Sequence, residues 1–185
     1  MADISEDVLV RAAQGDLQAF EEVYKASSSF VYNVALRVVN NREDAREVTQ
    51  EVFLIIYNKL KSFRFESSFK TWAYRITANY AINFAKKNSR AKTIPYEEAL
   101  GEDTSPGEVQ EHIDQDHQNL LVENLLAEIP PDQRACVVLR NIEGLSYQEI
   151  AQTLKININT VRSRLKRARE KLLSLKVSFQ RKGLL

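Results

Sequence analysis

Thr160, Arg162, Ser163, Arg164, Lys166 and Arg167 bring together the donor types that nucleic-acid recognition uses. With Val161 set at zero and about 100° added per residue, Arg162, Lys166, Ser163 and Arg167 fall between about 100° and 240°. That arc lies opposite an apolar stripe of Val161, Leu165, Ala168 and Leu172, with Arg164 and Arg169 flanking it. A helix so patterned can lie in a major groove. There Arg reads guanine O6 and N7, and Ser or Lys adds bonds to bases or phosphates. A basic solvated helix, or one that binds an acidic protein, carries the same pattern.

A second group points to a different nucleic-acid chemistry. Phe63, Arg64, Phe65, Ser67 and Ser68 interleave aromatic rings, a cation and hydroxyls just before a helical segment. Rings beside cations suit the capture of an unstacked base. Phe69 reads instead as a plug of the helical core, and Phe65 is balanced between the two roles. Within the helix, Arg75, Asn79, Asn83 and Lys86 line up on one face beside the core face of Phe69, Trp72, Ala73, Ile76, Tyr80 and Phe84. Amides and cations in a row can serve base edges and phosphates.

A third face is acidic. Asp44, Glu47, Gln50 and Glu51 surround Leu54 on the wet side of a helix whose apolar arc is about 200° wide. A Leu among acids and amides suits a protein-docking surface, although single exposed apolar residues are common. Enzymatic chemistry finds less support. Glu111, His112, Asp114, Asp116 and His117 offer possible metal ligands, but the His pair is not a helical i, i+4 pair and lies in a linker-like stretch. Cys136 sits beside a core stripe with no foreseeable base partner, which favours a buried structural role. No P-loop or dinucleotide fingerprint occurs.

The elements that must position these groups are helices. Helical periodicity dominates, with no sustained period of two. A short amphipathic helix is expected around Glu6–Ala13, a second from the cap Asp16 to about Val39, and a third from Asn41 to about Leu60. Ser67 or Ser68 caps a fourth that carries Trp72 to Lys87. Residues 93–118 hold Pro95, Gly101, Pro106 and Gly107 among acids and read as an acidic, flexible linker. Helices resume near Asn119–Glu128, break at Pro130-Pro131 and restart at Asp132. Ala135, Val138, Leu139 and Ile142 then share one face up to Gly144. Ser146 caps a helix to Leu154, and Asn157 caps a longer one. Two helices joined by a short turn, the second of them basic, form a helix-turn-helix candidate. The expected fold is all-α, with two small helical domains, 1–92 and 119–185, joined by the linker at 93–118.

Charge follows this division. The 185 residues carry a formal charge of only +1, which by itself argues against a nucleic-acid partner. Yet residues 52–92 hold nine Lys/Arg against one acid, and 134–185 hold twelve against three. Residues 93–133 hold eleven acids and no Lys or Arg. Such blocks read as two polyanion-facing surfaces and an acidic connector. A single Cys excludes an intrachain disulfide framework and suggests a reducing compartment. No apolar run reaches the ~18 residues of a membrane span, and the acidic N-terminus has no signal-peptide pattern. A soluble cytoplasmic protein with no membrane insertion is expected.

These residues carry a resemblance. Asp44–Phe53, then Phe69-Lys70-Thr71-Trp72-Ala73-Tyr74-Arg75-Ile76 with Asn79, resemble the second domain of bacterial RNA polymerase sigma factors. Ile129-Pro130-Pro131 through Arg140, Gly144–Ala151 and Thr160–Arg169 resemble sigma domain four. The two-domain form is that of the extracytoplasmic-function (ECF) group, and the likeness covers about 8–92 and 119–175. It implies a non-catalytic initiation subunit with no cofactor, which directs transcription of a specific, stress-type regulon. Asp44, Glu47, Gln50, Glu51 and Leu54 would dock on the β′ clamp helices of core RNA polymerase, and the β flap would be a further contact. Phe63, Arg64, Phe65, Ser67, Ser68, Arg75, Asn79, Asn83 and Lys86 would recognise and melt the −10 element of promoter DNA. Thr160, Arg162, Ser163, Arg164, Lys166 and Arg167 would read the −35 element. An anti-sigma factor is the implied regulatory partner. The family often has Gly at the positions of Phe65 and Asn159, and Asp at that of Asn83; Asn at 159 tolerates cap or left-handed geometry.

Three rival readings stand beside this one. A free-standing helix-turn-helix regulator leaves residues 16–92 without a role. A helical adaptor would use the basic faces for acidic proteins. An enzyme would need the 111–117 cluster or Cys136.

Overall fold

The computed structural model describes residues 4–91 and 124–181. Among them every regular element is helical. Helix α1 spans Glu6–Ala13, with the Ser5 hydroxyl accepting the Val8 N–H at 3.4 Å. Gly15 turns the chain at φ +96°, a region open to Gly at little cost. Asp16 then caps α2, Leu17–Val39, by accepting the N–H groups of Gln18 and Ala19 at 2.9 and 3.1 Å. Arg11 of α1 grips the same carboxylate at 2.7 Å, so one side chain starts α2 and ties α1 to it. The Ala19 N–H bond, then Arg11, and last the Gln18 N–H hold the Asp16 carboxyl below its ordinary pKa.

Helix α3 spans Arg42–Lys59, capped by Asn41, whose side chain accepts the Asp44 N–H. Leu60 lies beyond it in a 3₁₀ turn, Leu60–Ser62. Helix α4 is longer than expected, Phe69–Ala91. The choice between Ser67 and Ser68 falls on Ser68, whose hydroxyl accepts the Thr71 N–H at 3.1 Å. Ala19, Val23, Val31 and Val34 of α2 and Ala45, Val48, Val52 and Ile56 of α3 are fully buried at helical spacing.

In the second group a helical turn at 124–127 leads to Pro130, and α5 spans Pro131–Val137. The start is Pro131 rather than Asp132. A proline at the first helical position loses only an N–H that would be unpaired there. The helix then widens into a π turn, Val138–Ile142. Bonds from i to i+5 carry more residues per turn, so the 3.6 stripe breaks. Val138 and Leu139 stay buried, but Ile142, expected on the same face, is 40 % exposed.

Helix α6, Tyr147–Leu154, opens with a capping box. Ser146 Oγ accepts the Glu149 N–H at 3.2 Å, and Glu149 Oε2 accepts the Ser146 N–H at 2.7 Å. Lys155 turns the chain at φ +52°, and α7 runs Ile158–Arg181. Val161, Leu165 and Ala168 are buried on α7 as the stripe predicts. The two groups pack on each other: α5 lies against α2 and α4, and α6 against α4. Their buried apolar residues form one connected core. The expected linker 93–118, with His112 and His117, lies outside the described residues.

Candidate nucleic-acid interface

On α7 the buried stripe fixes which side chains face outward. Arg162, Ser163, Lys166, Arg167 and Arg169 are exposed, and Thr160 is half-buried. Arg162 donates to Asn159 Oδ1 at 3.1 Å, the Ser163 hydroxyl donates to the Thr160 carbonyl at 2.9 Å, and Lys166 stands 3.8 Å from Glu170. These are exposed, weak local contacts that an incoming phosphate or base edge can replace. Arg164 behaves differently. It turns inward to Asp132 at 3.0 Å, with side chains only 20 % and 26 % exposed. That pair joins α7 to the first turn of α5, so Arg164 is separated from the other cations of the expected groove-reading set.

The helix-turn-helix turn holds a feature that sequence reading missed. Asn159 was the position expected to tolerate left-handed geometry, but the positive φ is at Lys155. No residue type at 155 announces it, since Lys is not a turn former. Asn157 does act as the cap, accepting the Asn159 N–H at 2.8 Å.

The loop before α4 carries the second set. Phe63 is half-buried between Phe65, with ring centroids 4.7 Å apart, and Trp72, at 5.2 Å. Phe69 is buried, 6 % exposed, as its core role requires, whereas Phe65 is 42 % exposed. Phe65 also has φ +56°. The left-handed region costs an L-residue about 1–2 kcal/mol, a cost that Gly would escape. Arg64 and Ser67 are exposed. Ser68 is occupied by its capping bond.

Along α4, Arg75, Asn83 and Lys86 are exposed. Asn79 is not. Its amide donates to the Arg75 carbonyl at 2.7 Å and to the Thr153 carbonyl at the end of α6 at 2.9 Å. The expected row is thus interrupted in its middle by the other half of the protein.

On α3, Glu47 and Gln50 are exposed, Asp44 and Glu51 half-buried, and Leu54 is 57 % exposed. Burial, with the fields of Glu51 and Glu47, raises the Tyr80 hydroxyl pKa. Asp44 also lines a cleft of about 360 Å³ between the halves, with Asn88, Pro131 and Arg134. Cys136 is wholly buried, and burial pushes its thiol up to about 11. It is a packed thiol, buried in the core. Among the described residues no helix is long and apolar enough to cross a membrane, and no group of three His, Cys, Asp or Glu could hold a metal ion.

Comparison with known proteins gives matches over both halves. Residues 23–91 match the family description "Sigma-70 region 2", and residues 119–172 match "Sigma-70, region 4". The ECF RNA polymerase sigma-E factor of Haemophilus influenzae is 36 % identical over 170 residues, covering 86 % of this chain and 88 % of that one. The ECF RNA polymerase sigma factor SigE of Mycolicibacterium smegmatis is 32 % identical over 166 residues; the match covers 86 % of this chain but 62 % of that longer protein. In fold, the chain is similar to the sigma factor RpoE of Bartonella quintana, solved in complex with the anti-sigma factor NepR. The TM-score is 0.61 at 21 % identity, over 84 % of this chain and 95 % of that one.

Proposed function

Since this chain belongs to the ECF group of RNA polymerase sigma factors, we propose that it joins core RNA polymerase as an alternative sigma factor and directs initiation at its own set of promoters. Residues 1–92 act as the unit that docks on polymerase and handles the −10 element. Residues 119–185 act as the unit that reads the −35 element, and 93–118 connect them.

The observation that best supports this reading is the outer face of α7. Arg162, Ser163, Lys166 and Arg167 stand exposed together on the second helix of a helix-turn-helix, set by the buried Val161, Leu165 and Ala168. In a major groove these side chains read base edges and neutralise phosphates. Phe63 and Phe65, with Arg64 between them, provide a stacking platform for an extruded base of the −10 element. Capture of that base offsets an unpairing cost of a few kcal/mol, so melting needs no catalytic group in this chain. Arg75, Asn83 and Lys86 hold the neighbouring strand, and Asn79 joins them once it is uncovered.

Asp44, Glu47, Gln50, Glu51 and Leu54 dock on the β′ clamp helices, and the C-terminal half meets the β flap. The protein acts in the cytoplasm, where the polymerase is, and serves a stress-type regulon. An anti-sigma factor restrains it, in keeping with the complex in which the Bartonella quintana sigma factor was solved. The test is in vitro transcription with core polymerase and genomic fragments. The expected result is promoter-specific starts that depend on this chain. Their absence would overturn the reading.

A further inference from the structure

The corner that leads into α5 is stiff. The ring of Pro130 holds φ at −52°, and Pro131 opens the helix. Arg134, only 6 % exposed, braces the corner from within, where Nη2 donates to the Ala127 and Ile129 carbonyls at 3.2 and 3.0 Å. An acid stands at either end of Ile129-Pro130-Pro131, Glu128 before it and Asp132 after it. Each meets a cation of α7. Arg164 Nη2 lies 3.0 Å from Asp132 Oδ2, and Lys171 Nζ lies 4.0 Å from Glu128 Oε2. Residues 164 and 171 are close to two turns apart, so both pairs hold one flank of α7. The first pair is largely buried; the second is half exposed and weaker. The Asp132 carboxylate is itself held, since Oδ1 accepts the Gln133 N–H at 3.0 Å. Arg164 also reaches Cys136, one turn along α5 from Asp132.

The apolar stripe of α7 leaves its rotation loose. Val161, Leu165 and Ala168 are buried, but apolar contacts are non-directional, and helix pairs settle over a spread of about 15–20°. A rotation of that size about the helix axis moves a side-chain tip ~6 Å from the axis by about 2 Å. Such a shift breaks a bidentate bond from Arg to guanine, which needs N···O distances of about 2.9 Å. We infer that Arg164 and Asp132 are positioning residues for base reading. Their bond fixes the rotation of α7 against the proline corner, and so decides where Arg162, Ser163, Lys166 and Arg167 meet the −35 element. Arg164 acts through those four side chains and not by touching DNA. A loosened α7 still presents its cations and still binds phosphates by charge; what it loses is register on the bases.

The inference rests on the reading of α7 as the helix that meets the −35 element, and the test separates the two. Core polymerase loaded with the full chain transcribes the promoter that gives the strongest start among the genomic fragments, and copies of it with single-base changes in the −35 element. The ratio of starts on the intact and changed copies reads discrimination. Fluorescence anisotropy of the full chain with a mixed-sequence duplex, at three salt concentrations, reads binding by charge. Three variants are compared: Asp132→Ala, Arg164→Gln, and the exchanged pair Arg164→Asp with Asp132→Arg.

Discrimination should fall about tenfold in both single variants, the worth of one good base contact, and should return in the exchanged pair. Affinity for the mixed duplex should not fall, and its salt slope should stay that of wild type. A general loss of stability moves all starts together and leaves the ratio alone. If Arg164→Gln loses helicity, Asp132→Ala and the exchanged pair decide. A salt slope lower by about one in Arg164→Gln means that Arg164 meets phosphate directly, and overturns the inference. Single variants that discriminate as well as wild type overturn it too, as does an exchanged pair no better than the singles. A wild type that starts at no promoter overturns the sigma reading before any variant is compared, and takes the base-reading role with it.

Discussion

Arg164 Nη2 lies 3.0 Å from Asp132 Oδ2, so one cation of the basic helix faces protein rather than solvent. Its neighbours at 162, 163, 166 and 167 stay outward. Position on the helix therefore separates two kinds of arginine that composition treats alike.

Arg164→Ala is expected to lower stability by about 1–2 kcal/mol, because a partly buried, charge-assisted bond is lost and Asp132 is left without its partner. The salt dependence of promoter-fragment binding should be unchanged. Arg162→Ala should do the opposite. Its stability should stay within about 0.5 kcal/mol of wild type, while the slope of log affinity against log salt falls by about one. Thermal melts and binding titrations at three salt concentrations check both, and equal loss of salt slope in the two variants refutes the distinction.

Phe65 offers a test of backbone strain. Gly normally weakens a chain relative to Ala. At φ +56° the order should invert. Phe65→Ala and Phe65→Gly both lose the ring contact with Phe63, but only Gly escapes the left-handed penalty of about 1 kcal/mol. Urea denaturation should therefore rank Gly above Ala by about that amount. The reverse ranking would show that Phe65 leaves this conformation in solution.

Leu54 is 57 % exposed on α3 and makes little contribution to the core. Leu54→Asp should leave the melting temperature within about 2 °C of wild type. Capture of the full chain by core polymerase should fall at least tenfold, because an apolar anchor at the centre of a docking face is replaced by a charge. Size-exclusion co-elution reads this directly. Undiminished co-elution removes Leu54 from the docking surface.

Cys136 gives a pH prediction. Its thiol is pushed up to about 11 in the fold, and an exposed thiol titrates near 8.5. A raised folded pKa contributes stability that is fully present below about 8.5. That stability is lost as pH climbs toward 11, when the unfolded chain ionises and the folded one does not. Wild type should therefore lose more stability than Cys136→Ala between pH 8 and pH 10.5. Alkylation by iodoacetamide at pH 8 should likewise be slow in the native chain and fast in urea. Parallel pH curves for the two chains would refute it.

Much of the local structure was legible because caps and stripes are local physics. Asp16, Asn41, Ser146 and Asn157 each accept a backbone N–H two or three residues ahead. The stripe Val161, Leu165, Ala168 marks the buried side of α7. Ile142 was misplaced because the π turn at Val138–Ile142 changes the period within one helix. Lys155 was missed because it is the left-handed C-cap of α6, closed by its backbone N–H on the Ala151 and Gln152 carbonyls, a position where Gly or Asn is the usual signal and Lys is not. Of the expected contacts on α4, Arg75, Asn83 and Lys86 are on the surface as the periodicity implies, while Asn79 is claimed by a partner distant in sequence.

The sequence by itself determined most of the helices and caps, the basic faces of α4 and α7 and the family, because each depends on residue type at short spacing. Only the tertiary structure decided which of those groups meet. Arg164 pairs with Asp132, Arg134 closes the end of α2, and Asn79 meets Thr153. Periodicity assigns a residue to a face of its own helix, but it says nothing about which distant face covers it. That depends on which surfaces of α2, α4, α5 and α6 fit together, a relation between segments that no local pattern encodes.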